Sequence, residues 1–98
     1  MQSNKKSFKG QKIFIGIDVH AKTWAVETLT ESGFTKRHAQ EASAKVLFDF
    51  LSKNFPDGEY HAVYESGFSG FSTYYQLKEY GIHCVVVHAA DVPSTQYE

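Results

Sequence analysis

The sequence has one cysteine, two prolines and no run of apolar residues long enough to span a bilayer. A lone Cys84 excludes an internal disulfide. With no charged-then-apolar leader, the expectation is a reducing, cytoplasmic setting without a membrane. Charge of one sign is also scarce. A formal net charge of -1 leaves no chain-wide electrostatic footprint for nucleic acid, although Lys5, Lys6, Lys9 and Lys12 form a basic arm that reads more readily as a solvated, frayed terminus. The five histidines and one cysteine show no C-x-x-C or H-x-x-x-H spacing, and adjacent His83 and Cys84 face opposite sides of a strand, so zinc has no sequence basis. Gly67-Phe68-Ser69-Gly70 lacks the G-x-S-x-G frame of a hydrolase nucleophile. The few prolines, set against 42% hydrophobic and 15% aromatic residues, exclude a disordered chain. At 98 residues there is room for one small domain with a modest core.

The patterns give an element order. Residues 1–11 are polar and read as a disordered basic lead-in, with the folded domain over 12–98. Lys12 to Val19 and Thr23 to Thr30 alternate as strands, and turn chemistry at Glu31-Ser32-Gly33 leads into a third extended piece, Phe34 to Ala39. Ala44, Leu47, Phe48 and Leu51 fall at i, i+3, i+4 and i+7, with Ser43 as N-cap and Pro56-Asp57-Gly58 closing the helix. Tyr60 to Tyr64 suits a buried strand, and Glu65-Ser66-Gly67 exits sharply into a second helix over about Ser69 to Tyr80, stopped by Gly81. Ile82 to Val87 is the valine-rich run of a parallel strand. The order β-β-β-α-β-α-β is an α/β arrangement of antiparallel strands followed by crossovers into parallel ones.

Within IFIGIDVHAK, alternation sets Ile13, Ile15, Ile17 and Val19 on one face and Phe14, Gly16, Asp18 and His20 on the other. Asp18 therefore sits where an apolar side chain is expected, a costly position unless a cation or hydrogen-bond donors compensate. Glu65 ends the fourth strand. If these strands are neighbours, the two acids converge at one sheet end, where ligands of open α/β sheets bind. Mg²⁺ or Mn²⁺ between them would relieve their repulsion, because hard oxygen ligands suit hard cations. A two-metal site wants more carboxylates, and of the later acids Glu79, Asp91 and Glu98 none is an obvious third ligand.

The element order resembles the ribonuclease-H-like fold. The segments IGIDVHAKTW, YESGFSGF and YGIHCVVVHAADVP resemble the N-terminal part of the DEDD-type insertion-sequence transposases, which have a RuvC-like catalytic domain and are related to Piv DNA invertases. The resemblance runs from about residue 12 through most of the chain. It implies that Asp18 is the first D and Glu65 the E of the motif, and that both are catalytic and metal ligands. The remaining aspartates would lie beyond the end of this sequence, so the fold reads as truncated at its C-terminus and the fragment alone as inactive. It further implies Mg²⁺-dependent cleavage and transfer of DNA strands by the full-length protein. A structured guide RNA and homo-oligomers are other implied partners.

Plainer readings stand beside these. Asp18 could accept hydrogen bonds from amides of the turn through Ala21, and Glu65 could sit at a helix N-terminus favoured by its dipole. Lys22, one turn beyond Asp18, could meet nucleic-acid phosphate or remain a solvated lysine. Phe71, Tyr74 and Tyr75 fit one helical face, expected to pack in the core rather than stack on bases. An actin- or sugar-kinase-type nucleotide-binding domain also begins with a Gly-Ile-Asp strand, but it needs glycine after the aspartate, where this chain has His20-Ala21-Lys22. A non-catalytic nucleic-acid-binding or dimerisation module is the third reading.

Overall fold

In the computed structural model, residues 7–66 and 71–88 are described. They form β1 (Lys12–Val19), β2 (Thr23–Thr30), β3 (Thr35–Glu41), α1 (Ala44–Asn54), β4 (Glu59–Ser66), α2 (Ser72–Glu79) and β5 (His83–His88). The strands make one sheet in the order β3-β2-β1-β4-β5. The β1–β2 and β2–β3 pairs are antiparallel, and the β1–β4 and β4–β5 pairs are parallel. The chain is thus a mixed α/β fold whose first and fourth strands lie side by side, and the expected element order holds throughout.

The core lies on one face of the sheet. Ile13, Ile15 and Ile17 of β1, Trp24 and Val26 of β2 and Ala62 and Tyr64 of β4 are buried together with Ala44, Leu47 and Leu51 of α1 and Leu77 of α2. Helix α1 forms as its period requires, and the Ser43 side chain accepts the Val46 N–H at its start. It ends where Phe55 N–H bonds the Leu51 carbonyl and Asp57 adopts a φ of 69°. A side chain at Gly58 would force this turn to shift, since a Cβ there would meet Ile13 Cγ1 at 2.8 Å.

Several expectations shift. The third strand runs to Glu41, and the fourth spans Glu59–Ser66 rather than Tyr60 to Tyr64, because its pairing with β1 already begins at Lys12 opposite Glu59. Part of the expected lead-in is packed: Phe8 donates its N–H to the Pro56 carbonyl and sets its ring edge-on to Phe55, with centroids 5.4 Å apart. The second helix buries Thr73 and Leu77, not the aromatic trio. Tyr74 is half-buried, while Phe71 and Tyr75 are exposed. The i, i+4 pair on the covered face is Thr73 and Leu77, and Tyr75 falls across the helix from Thr73. The expected exit through Gly67 and the expected helix start at Ser69 lie outside the described residues.

Candidate active site

The second face of the sheet carries no helix among the described residues, and the register lays it out as a grid. Since successive side chains alternate, residues paired across strands and two apart along them share this face. Arg37 of β3 pairs with Glu27 of β2, which pairs with Gly16 of β1, which pairs with Val63 of β4. One step towards the sheet's end, Ala39 pairs with Ala25 and Ala25 with Asp18. The last pair between β1 and β4 is Ile17 with Tyr64, so the next step sets Asp18 beside Glu65. Strands at this spacing are about 4.8 Å apart. Asp18, Glu65, Glu27, Arg37 and Gly16 line one shallow cleft.

The cleft corrects one expectation. Asp18 is not held in apolar surroundings. Its side chain is 72% exposed, so no desolvation cost of the expected size arises. Phe14 and Val63, neighbours on the same face, are also exposed, each at 42%. Alternation in β1 identified the face correctly; a face built of Phe14 and Gly16 looked apolar but is uncovered here. Asp18 Oδ2 lies 3.3 Å from His20 Nε2, two residues on and on the same face. Glu65 is exposed as well. Behind it, buried Tyr64 accepts the Tyr74 N–H on its hydroxyl at 3.0 Å, which ties the end of β4 to α2, and burial pushes that phenol upward in pKa. Lys22 is exposed in the β1–β2 turn, where its carbonyl accepts the Ala42 N–H. It is not among the residues lining the cleft.

Two lining residues were absent from the sequence reading. Glu27 adds a third carboxylate to the cleft, one row from Asp18, and Arg37 adds a permanent cation. Arg37 Nε approaches Glu27 Oε2 at 3.4 Å. The signal was present: in TWAVETLT, alternation puts Ala25 and Glu27 on the face that β1 devotes to Gly16 and Asp18. As the side chains stand, no group of three or more His, Cys, Asp or Glu among the described residues is arranged to hold a metal ion. Glu27 is turned towards Arg37 instead. The floor at Gly16 is open, since a methyl group added there would meet nothing within 4 Å.

No known family profile matches the chain. Over 86 residues, 85% of its length, it is 27% identical to the transposase for insertion sequence element IS1533 of Leptospira borgpetersenii. The likeness is to a transposase. The chain spans about a quarter (25%) of that relative's length. No helix among the described residues is long and apolar enough to cross a membrane.

Proposed function

We propose that this chain carries part of a transposase catalytic site on a ribonuclease-H-like sheet of the DEDD, RuvC-like kind. In this reading Asp18 and Glu65 hold Mg²⁺ or Mn²⁺ for cleavage and transfer of DNA strands. The observation that carries it is the placement of the two carboxylates on adjacent strands, on one face, in one open cleft. The transposase likeness over 85% of the chain supports the same reading.

The donor set fits a hard cation. Two carboxylates side by side repel unless a cation lies between them, and both are exposed enough for water and phosphate oxygens to complete a coordination shell. A bound divalent ion would polarise the phosphodiester and favour the attacking hydroxide. The chain's own residues do the rest. Asp18 and Glu65 supply the ligand oxygens at the sheet end, His20 stands 3.3 Å from Asp18, and Gly16 leaves the floor clear for a sugar-phosphate backbone. Two carboxylates are few for a complete site, and in this reading the other two acids of the motif come from the remainder of a longer protein.

Paramagnetic broadening by Mn²⁺ tests the site directly, because it detects binding even at millimolar affinity. Titrated into the ¹⁵N-labelled chain, Mn²⁺ should broaden resonances around Asp18 and Glu65 first. Asp18→Ala and Glu65→Ala should each weaken this at least tenfold while leaving the circular dichroism spectrum unchanged. Broadening centred elsewhere, or indifferent to both substitutions, would refute the metal site.

A further inference from the structure

We infer that Arg37, braced by Glu27, is a phosphate-binding residue of the cleft and contacts the nucleic-acid backbone that lies across Gly16. This rests on the reading of Asp18 and Glu65 as the metal-holding pair and extends it to the ligand's other side. Among the described residues lining the cleft, Arg37 is the one permanently charged cation, facing a floor ringed by Asp18, Glu27 and Glu65. An anionic ligand entering such a site would need a cation on the wall opposite the metal-holding acids.

The grid places Arg37 there. Arg37, Glu27 and Gly16 occupy one row across β3, β2 and β1, so the arginine starts two strand spacings, about 10 Å, from the open floor. Its side chain is 81% exposed and lines the cleft. Contact of Nε with Glu27 Oε2 leaves the two terminal nitrogens of the guanidinium to donate elsewhere. Their planar fork suits two oxygens of one phosphate. An isolated surface ion pair contributes little to stability, so the Glu27 contact matters here for aiming the guanidinium. Ala25 and Ala39 in the adjoining row are short side chains that keep the path between Arg37 and Asp18 low.

The test uses the 98-residue chain, Mg²⁺ and a single-stranded thymidylate pentanucleotide, followed by NMR with the Arg37 Nε–Hε resonance as reporter. The pentanucleotide should shift that resonance. Arg37→Ala should weaken pentanucleotide binding at least fivefold and reduce its salt dependence by about one phosphate contact, with Arg37→Lys restoring part of the loss. Mn²⁺ broadening around Asp18 and Glu65 should be the same in both variants. Unchanged pentanucleotide affinity in Arg37→Ala, or no shift at Arg37 at millimolar pentanucleotide, would overturn this inference and leave the metal reading standing. Absence of Mn²⁺ at Asp18 and Glu65 in the unaltered chain would remove both. Glu27→Gln should weaken pentanucleotide binding and spare Mn²⁺ broadening. Loss of that broadening would make Glu27 a metal ligand and overturn its role as a brace.

Discussion

The two faces of the sheet are built from the same five strands by the same alternation, yet they differ in almost every physical respect. One face is closed by α1 and α2 and holds Ile13, Ile15, Leu47, Leu51 and Leu77 at 1% exposure or less. The other leaves Phe14, Leu29, Val63 and Val85 exposed beside Asp18, Glu27, Arg37 and Glu65. Parallel strands are ordinarily buried on both sides, and three of the five strands here pair in parallel. The covered face supplies cohesion. The open one sets charged side chains beside exposed apolar ones, with Val63 and Val85 in the same row as Glu27 and Arg37, so the core and the candidate site are separated by the thickness of a single sheet.

That separation predicts very unequal costs. Leu51→Ala removes a side chain with no solvent exposure from the seam between α1 and the sheet, and should destabilise by about 2–5 kcal/mol. For a domain of this size, expected to be stable by roughly 5–15 kcal/mol in total, such a loss is a large fraction. Val85→Ser, on the open face at 62% exposure, should stay within about 0.5 kcal/mol. Urea denaturation of both variants checks the comparison. Equal losses would mean that the open face is packed against something in solution.

Most of this division was legible in the sequence, but not all. The strict alternation of β1 and β2, the i, i+3, i+4 spacing of α1 and its Ser43 cap fix the elements because each pattern matches one periodicity only. Which face would be covered was not legible. Phe14 and Gly16 carry no charge to mark their side as solvent-facing, so Asp18 looked buried when it is exposed. Glu27 precedes Glu65 in the chain, and only the pairing of β2 with β1 brings it opposite Gly16, one row from Asp18. In α2, Phe71, Tyr74 and Tyr75 outweigh Thr73 on hydrophobicity, yet the face that packs is the one carrying Thr73 and Leu77.

Thr28 offers a smaller change, of opposite sign, within the covered face. Its side chain is fully buried in β2, and its Oγ1 has no hydrogen-bond partner among the described residues. A buried hydroxyl without a partner carries a desolvation cost that a methyl group of the same shape avoids. Thr28→Val should therefore stabilise the domain by about 1 kcal/mol, seen as a higher urea midpoint at unchanged slope. A lower midpoint would mean that the hydroxyl is satisfied by bound water and belongs to the packing as it stands.

The finest probe of the two faces lies in consecutive residues of β5. Cys84 packs against the core, and burial pushes its thiol up from the ordinary 9.0 to about 11. Val85, the next residue, is exposed on the open side. Only the thiolate reacts with iodoacetamide, so Cys84 at pH 8 should be alkylated about a hundredfold more slowly than a thiol of ordinary pKa. A Val85→Cys, Cys84→Ser double variant should react at the ordinary rate. Stability follows with a definite sign. Below pH 9 the thiol is neutral in both folded and unfolded chains and contributes no pH dependence. Between about 9 and 11 the unfolded chain ionises first, so stability should fall as pH rises through that window, and the Cys84→Ser variant should lose this component of the decline. Equal alkylation rates at positions 84 and 85 would show that the covered face opens on the timescale of the reaction, and that the boundary between the two faces is dynamic rather than fixed.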